Sequence, residues 1–264
     1  MDIWKTKKNL DLDKHYRGQI GPLILWLRHL FDEIHIAVEH TEDESVESEA
    51  IVFSVTDEST KEQLDWKRWV VGEKSNTISI LPIMPDRPVV VRPEVPVKIP
   101  EGHEALFFVS IPVWVEIVVD NTKETVLCEE PSIILSNIWF GDPMSGELCY
   151  SLRSRARRQI VDAEAKPHKA ICPVRIKNVA QSQLNVDRFC VNVEYLKIYK
   201  GQKQLWTNEV HITFQGEDAA SKIDCLQKSP EYEAVDSILS DAKTKWKKTL
   251  LKKSLGTFKL LTGF

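Results

Sequence analysis

Four arginines stand close together in the stretch 135-LSNIWFGDPMSGELCYSLRSRARR-158. Three of them, Arg153, Arg155 and Arg157, are spaced two residues apart, and Arg158 follows. On an extended strand the three share one face, with roughly 6–7 Å between neighbours. A guanidinium group binds phosphate or carboxylate through two parallel hydrogen bonds. A row of this kind could therefore hold phosphates, a nucleic-acid backbone or a polycarboxylate.

The same arginines could instead be structural. Residues 133–140 and 147–154 can pair as strands around 141-GDPMSG-146, whose Asp-Pro and Gly residues favour a turn. With Trp139 and Phe140 facing residues 146–148, Glu129 and Glu130 would lie opposite Arg158 and Arg157. Cross-strand ion pairs there, or pairs with carboxylates in the 162–164 region, would then occupy the guanidinium groups. The sequence favours this pairing but leaves the anion-binding alternative open.

Motifs for other chemistry are missing from the sequence. The glycine loop matches neither a P-loop nor a dinucleotide-binding fingerprint. The seven histidines and five cysteines include no HExxH or CxxC spacing. We therefore expect reduced cysteines, no catalytic residue, no cofactor and no metal.

Composition is that of a globular protein without a membrane span. The chain of 264 residues has 42% hydrophobic residues, 28% charged residues and a formal net charge of −4. No apolar run reaches the roughly 18 residues that a transmembrane helix needs. The first residues show no secretory signal. We expect a cytoplasmic protein, and nucleic acid is not the expected partner.

Alternation of apolar and polar residues dominates the first 215 positions. In 33-EIHIAVEH-40, Ile34, Ile36 and Val38 alternate with polar residues, and 23-LILWLRHL-30 reads as the hairpin partner. The run 105–120 is nearly continuous β-former, with Pro112 marking a bulge or a change of sheet. The pattern predicts a mainly β fold of two packed β-sandwich-like subdomains, residues 1–130 and 131–228.

The last segment, residues 229–264, changes period. Across 231–253, apolar residues recur every three to four positions, which predicts a C-terminal amphipathic helix. From Ala242 onward there are seven lysines and no acidic residue. Lysines interleaved with aromatic rings suit an anionic surface or an acidic groove. We predict an attachment tail that binds a partner protein ahead of a peripheral membrane contact, and its residues are Trp246, Lys247, Lys248, Lys252, Lys253 and Phe258.

Three phrases carry a resemblance to a known family. They are 81-LPIMPDRPVVVRP-93, 107-FFVSIPVWVEI-117 and 135-LSNIWFGDPMSGELCYSLRSRAR-157. Together they resemble a family of archaeal and bacterial proteins catalogued as domain of unknown function 432, over roughly residues 15 to 255. The resemblance implies no activity and transfers no catalytic residue.

These observations predict a noncatalytic binding or interaction module. The module would attach to a partner protein or a membrane surface through its basic C-terminal tail. The alternative is an enzyme or ligand sensor whose anionic ligand is held by the strand of Arg153, Arg155 and Arg157. A cluster of arginines facing a cavity, rather than facing Glu129 and Glu130, would favour the alternative.

Overall fold

The computed structural model describes residues 4–41, 53–56, 64–72, 76–120, 124–163, 166–217, 219–247, 250–252 and 255–256. These residues form β-strands and two single turns of 3-10 helix, η1 (Ile160–Asp162) and η2 (Val193–Tyr195). The described part of the chain contains no α-helix. It therefore also contains no helix long and apolar enough to cross a membrane.

The strands are short and follow one another closely along the chain. In the first half they are β1 (Lys7–Asn9), β2 (His15–Ile20), β3 (Leu23–Leu30), β4 (Glu33–His40), β5 (Phe53–Thr56), β6 (Lys67–Val70), β7 (Thr77–Ile83), β8 (Val89–Val91), β9 (Val97–Ile99), β10 (Glu104–Pro112), β11 (Trp114–Val119) and β12 (Thr125–Pro131). In the second half they are β13 (Ser136–Phe140), β14 (Glu147–Ser151), β15 (Lys169–Asn178), β16 (Leu184–Val186), β17 (Arg188–Val191), β18 (Ile198–Gly201), β19 (Leu205–Thr207), β20 (Val210–Phe214), β21 (Ser221–Cys225), β22 (Val235–Ser240), β23 (Leu250–Lys252) and β24 (Leu255–Gly256).

The chain divides into two compact units that interleave in sequence. The first comprises residues 1–83, 112–134 and 166–168, and the second comprises residues 84–111, 135–165 and 169–264. This grouping cuts the chain differently from the predicted subdomain boundaries after residues 130 and 228. Those boundaries and the sandwich-like pairing of sheets stay predictions, whereas the mainly β class is confirmed.

The first unit holds two antiparallel sheets. One has the order β1-β7-β11-β12, and the other has the order β5-β2-β3-β4-β6. The predicted hairpin is present, since Leu23 to Leu30 pairs with His40 to Glu33 along its full length. One detail differs: His35, expected on the wet face, is 1% exposed. Its ring accepts a hydrogen bond from Arg28 Nε at 2.9 Å, and its other nitrogen pairs with Glu33.

The second unit holds two larger sheets and a two-stranded ribbon, β16-β9. The larger sheet has the order β22-β18-β19-β15-β20-β21-β23, with β10 also paired to β15. The other, which we call the arginine sheet, has the order β13-β14-β8-β17-β24. Its central strand, β8, is fully apolar, and Phe189 on β17 packs on Phe107 with ring centroids 5.4 Å apart. Burying each such side chain contributes about 1.5–3 kcal/mol.

Two local expectations are confirmed. At Pro112 the chain leaves β10 and enters β11, which belongs to a different sheet. The hairpin of β13 and β14 forms in the expected register, with Trp139 opposite Leu148 and Phe140 opposite Glu147.

The predicted amphipathic helix over 231–253 is wrong for the described residues of that segment. Residues 235–240 form strand β22, which pairs antiparallel with β18. The apolar spacing that suggests a helix is used by extended backbone: Tyr232 stacks on Trp206 at 5.9 Å, and Leu239 is 4% exposed. Pairing with β18 supplies the backbone hydrogen bonds that a helix would have supplied internally.

Candidate anion-binding site

Two segments of the second unit run side by side and aim arginines in one direction. A β-bridge joins Pro93 to Ala156. The amide of Ala156 donates to the carbonyl of Arg92 at 2.9 Å, and the amide of Glu94 donates to the carbonyl of Ala156 at 3.0 Å. Both bridge residues are buried. Because side chains alternate along extended backbone, Arg92 and Arg155 must point to the opposite, exposed side.

Strand β17 brings a third arginine to the same place. It pairs antiparallel with β8, and Phe189 lies opposite Val91. One residue farther along this register, Arg188 falls opposite Arg92. Directly opposed residues have Cβ atoms about 5 Å apart. Three arginines that are distant in sequence therefore become neighbours.

These arginines border a cavity of about 290 Å³. Three arginines, two acidic residues and two prolines line it, namely Arg92, Pro93, Glu94, Pro96, Arg155, Asp187 and Arg188. The prolines stiffen the segment between β8 and β9, because their φ angles are fixed. The cavity lies within the second unit, and its residues come from the connection between β8 and β9, from the segment after β14 and from the start of β17.

The three arginines that line the cavity form no ion pair with a carboxylate in the part of the chain that the structure describes. Neither Arg92 nor Arg155 has an ion pair or side-chain hydrogen bond there, and both side chains are exposed. The Nε of Arg188 is buried without a hydrogen-bond partner among the described residues. Its guanidinium lies over the Phe140 ring, 5.5 Å from the centroid. Like charges this close repel each other, so an anion placed among them would be stabilised.

The two carboxylates of the cavity differ in their engagement. Glu94 forms a salt bridge with Arg157, so much of its charge is already compensated. Asp187 has no ion pair among the described residues. Its carboxylate, beside the arginines, could accept hydrogen bonds from a hydroxyl or ammonium group of a ligand.

The predicted arginine row separates into different environments. Arg155 lines the cavity, and Arg157 pairs with Glu94 beside it. Arg158 donates to the carbonyl of Leu106 and lies over the Phe107 ring at 5.0 Å, and desolvation lowers its pKa. Arg153 is exposed and does not line the cavity.

The strand pairing does not place Glu129 and Glu130 opposite Arg158 and Arg157, and the other predicted carboxylate region, 162–164, lies partly outside the described residues. Glu129 and Glu130 lie on β12, opposite Glu116 and Val115 of β11 in the first unit. Glu130 forms a salt bridge with Lys67 at 2.8 Å. The hairpin of β13 and β14 has the predicted register, but β12 pairs with β11 and does not continue the hairpin.

Sequence reasoning missed Arg92 and Arg188 as site residues. Arg92 precedes Pro93, and Arg188 precedes the apolar residues of β17. The proximity of both to Arg155 depends on pairing between β8 and two distant segments. The one signal in the sequence was the density of arginine at the starts and ends of strands.

Most of the predicted attachment tail lies outside the described residues. Lys248, Lys253 and Phe258 are among those outside, and Lys252 is described only as part of strand β23. Trp246 is half-buried and packs edge-on against Tyr195, with centroids 5.1 Å apart. Lys247 is exposed.

A second polar cluster in this unit surrounds Glu209. Its carboxylate accepts from Arg175 Nε at 2.8 Å and from Tyr232 Oη at 2.9 Å, and it pairs with His211 at 2.8 Å. Burial acts to raise the pKa of Glu209, but these hydrogen bonds outweigh it and lower that pKa. Burial and the bond to Glu209 raise the pKa of Tyr232 to about 12. Every member is engaged, so the cluster acts as a structural network.

Comparison with known proteins finds one family model that matches nearly the whole chain. The model of a family described as a protein of unknown function, DUF432, matches residues 11–259. The chain belongs to the DUF432 family. The match includes all cavity residues, so the arginine cavity lies in the family's own domain and not in an appended segment. No curated protein and no solved structure matches the chain.

Proposed function

We propose that this DUF432 protein is a noncatalytic binding module for a small, multiply charged oxyanion held in the arginine cavity. The observation that carries the proposal is the convergence of Arg92, Arg155 and Arg188 on one cavity without carboxylate partners among the described residues. Maintaining three such cations side by side costs stability unless an anion compensates them.

The chemistry of the cavity favours phosphate or carboxylate groups. Guanidinium groups bind both through paired hydrogen bonds, and three of them can contact one multiply charged group from different sides. A cavity of about 290 Å³ is at the lower end of small-molecule sites. We therefore expect a compact ligand rather than a polymer.

A binding role fits the cavity better than catalysis. Its wall, as far as the structure describes the chain, includes no cysteine, serine, lysine or histidine that could act as nucleophile or general base at neutral pH. Asp187 is the one lining carboxylate without an ion pair there, and a single carboxylate among arginines orients a ligand more readily than it accepts a proton.

The test is calorimetric titration of the purified chain with pyrophosphate, citrate and inorganic phosphate, with chloride as the reference anion. We expect saturable binding of at least one oxyanion. Arg155→Gln and Arg92→Gln should each weaken it at least about tenfold, since hydrogen bonds to charged groups contribute about 1.5–3 kcal/mol.

The matched control is Arg153→Gln. It removes the same charge from the same segment, at an exposed arginine outside the cavity. Its affinity should stay within about twofold of the parent, because screened surface charges contribute little. Equal losses in Arg153→Gln and Arg155→Gln, or no saturable binding by the parent protein, would show that the cavity is not an anion site.

A further inference from the structure

A buried pair of thiols lies on the arginine sheet and is not part of the anion cavity. Cys149 on β14 is 0% exposed, and Cys190 on β17 is 2% exposed. Their sulfur atoms are 3.8 Å apart. Val90, Phe140 and Ile138 pack around them. The five cysteines of the chain form no disulfide.

A carboxylate completes the cluster. Glu147 is two residues before Cys149 on the same strand, so the two side chains share a face of the sheet. One carboxylate oxygen and the two sulfur atoms all lie within 4.8 Å of one another. Glu147 is half-buried, and residues 141–145, which precede it in the hairpin loop, are exposed.

The backbone argues against a disulfide at this position. Strands β14 and β17 pair with opposite edges of β8, so a whole strand separates Cys149 from Cys190. Adjacent strands lie about 4.8 Å apart, and two such steps exceed the roughly 7 Å between Cα atoms that a disulfide can span. Bringing the sulfur atoms into bonding distance would require β8 to be displaced.

The spacing of the sulfur atoms suits a bridging metal ion instead. Two thiolates bound tetrahedrally to zinc, with bonds of about 2.3 Å, have their sulfur atoms about 3.8 Å apart. The observed separation is 3.8 Å, so both could bind one ion with little movement. A carboxylate oxygen is an accepted third ligand, and water can fill the fourth position.

We propose that Cys149, Cys190 and Glu147 form a binding site for a divalent metal ion that prefers thiolate ligands. Zinc is the ion we expect. On binding, two S–H bonds lose their protons to solvent and two metal–sulfur bonds form, with no change of oxidation state. Soft thiolate ligands select zinc over magnesium or calcium. The ion joins β14 to β17 across β8, in a sheet where β14 and β8 share only two paired residues.

Cobalt(II) is the probe, because thiolate ligands give it a charge-transfer absorption that other ligands do not. The reduced protein is titrated with Co²⁺ alone. We expect one equivalent to produce the thiolate absorption, zinc to displace it, and the thermal midpoint to rise as the metal saturates the folded state. Calorimetry in two buffers of different ionisation enthalpy should show proton release on binding.

Cys149→Ser and Cys190→Ser should each abolish the absorption, and Glu147→Gln should weaken binding at least about tenfold, as even outer-shell partners commonly do. Cys128→Ser is the control, because Cys128 is half-buried on β12 in the first unit. If either serine variant does not fold, the metal affinity of Glu147→Gln and the number of protons that the parent protein releases on binding still test the proposal. A folded parent protein without thiolate absorption, or absorption that survives both serine substitutions, would overturn the proposal.

Discussion

Three side chains contact the carboxylate of Glu209, whose side chain is 12% exposed. We expect this residue to make the strongest single contribution to the pH dependence of stability. Hydrogen bonds lower its pKa from the ordinary value of 4.5. A carboxylate whose pKa is lowered by folding stabilises the protein above its unfolded pKa, and this contribution is lost as pH falls through the folded value.

Glu209→Gln should therefore reduce the free energy of unfolding by about 2 kcal/mol at pH 7, the scale of hydrogen bonds to charged groups. The difference from the parent should shrink below pH 4.5. Denaturant unfolding at several pH values measures it. Glu104→Gln is the control, since Glu104 also pairs with Arg175 but its side chain is 45% exposed, and it should cost less than about 1 kcal/mol. Equal losses in both variants would contradict the structural role of the Glu209 network.

The arginines show what residue spacing can and cannot predict. That Arg155 and Arg157 point to one side follows from strand periodicity alone, and the buried Ala156 between them agrees with it. Their neighbours Glu94 and Arg92 could not be predicted, because a bridge between distant segments brings them close. Register between non-adjacent strands is set by the whole core and is not encoded locally.

Among the strands, the β13–β14 hairpin is the element whose local sequence matters most to both proposed sites, because it carries Glu147 and Cys149 and leads to Arg155. Its tip depends on Gly146. A Cβ atom at this position would lie 2.5 Å from Trp139 Nε1, 2.6 Å from the carbonyl oxygen of Phe140 and 2.7 Å from that of Asp142. Two of these neighbours are backbone atoms, which cannot move away without distorting the turn.

Gly146→Ala should therefore destabilise the protein by about 1–3 kcal/mol, the usual cost of overpacking. Ser145→Ala, at the exposed neighbouring position, should change stability by less than about 0.5 kcal/mol. Thermal unfolding of the three proteins gives the comparison. A Gly146→Ala variant as stable as the parent would mean that the hairpin tip has a different conformation.

Secondary structure could be predicted from the sequence where the spacing of apolar residues fitted only one kind of element. Apolar and polar residues alternate in the sequence of β4, which a two-residue connection joins to β3, and this hairpin formed as expected. Residues 231–253 satisfied a helical spacing, yet Val235 and Ile238 are β-branched and the open edge of β18 was available for pairing. Tertiary pairing outweighed the local period there, as it does in any segment whose apolar residues fit both patterns.

At the scale of the whole molecule, the interleaved units could not be read from the order of strands. The chain leaves the first unit after Ile83, returns at Pro112 and leaves again after Ile134. Pro112 signalled a change of sheet, but nothing near Ile83 or Ile134 distinguishes a change of unit from an ordinary turn. Contacts between distant segments decide the grouping, and a single sequence does not display them.

The C-terminal segment contributes two strands to the sheets, in addition to its predicted role in attachment. Strand β23 pairs with β21, where Lys252 lies opposite Ser221. Strand β24 pairs with β17, where Leu255 lies opposite Phe189. Removing these strands would leave the edges of β21 and β17 without their backbone partners, next to the strand that carries Arg188 and Cys190.

Two truncations separate the structural role from attachment. A chain ending at Thr249 lacks both strands and should unfold roughly 5 °C or more below the parent, since each kcal/mol lost shifts the midpoint by about 2–4 °C in a protein of this size. A chain ending at Gly256 keeps both strands and removes Phe258 and Lys259, so it should unfold within about 1–2 °C of the parent. Scanning calorimetry and hydrogen exchange at the amides of Phe189 and Ile223 measure the difference. If the shorter chain is as stable as the longer one, β23 and β24 do not support the sheet edges, and the tail is free to act in attachment alone.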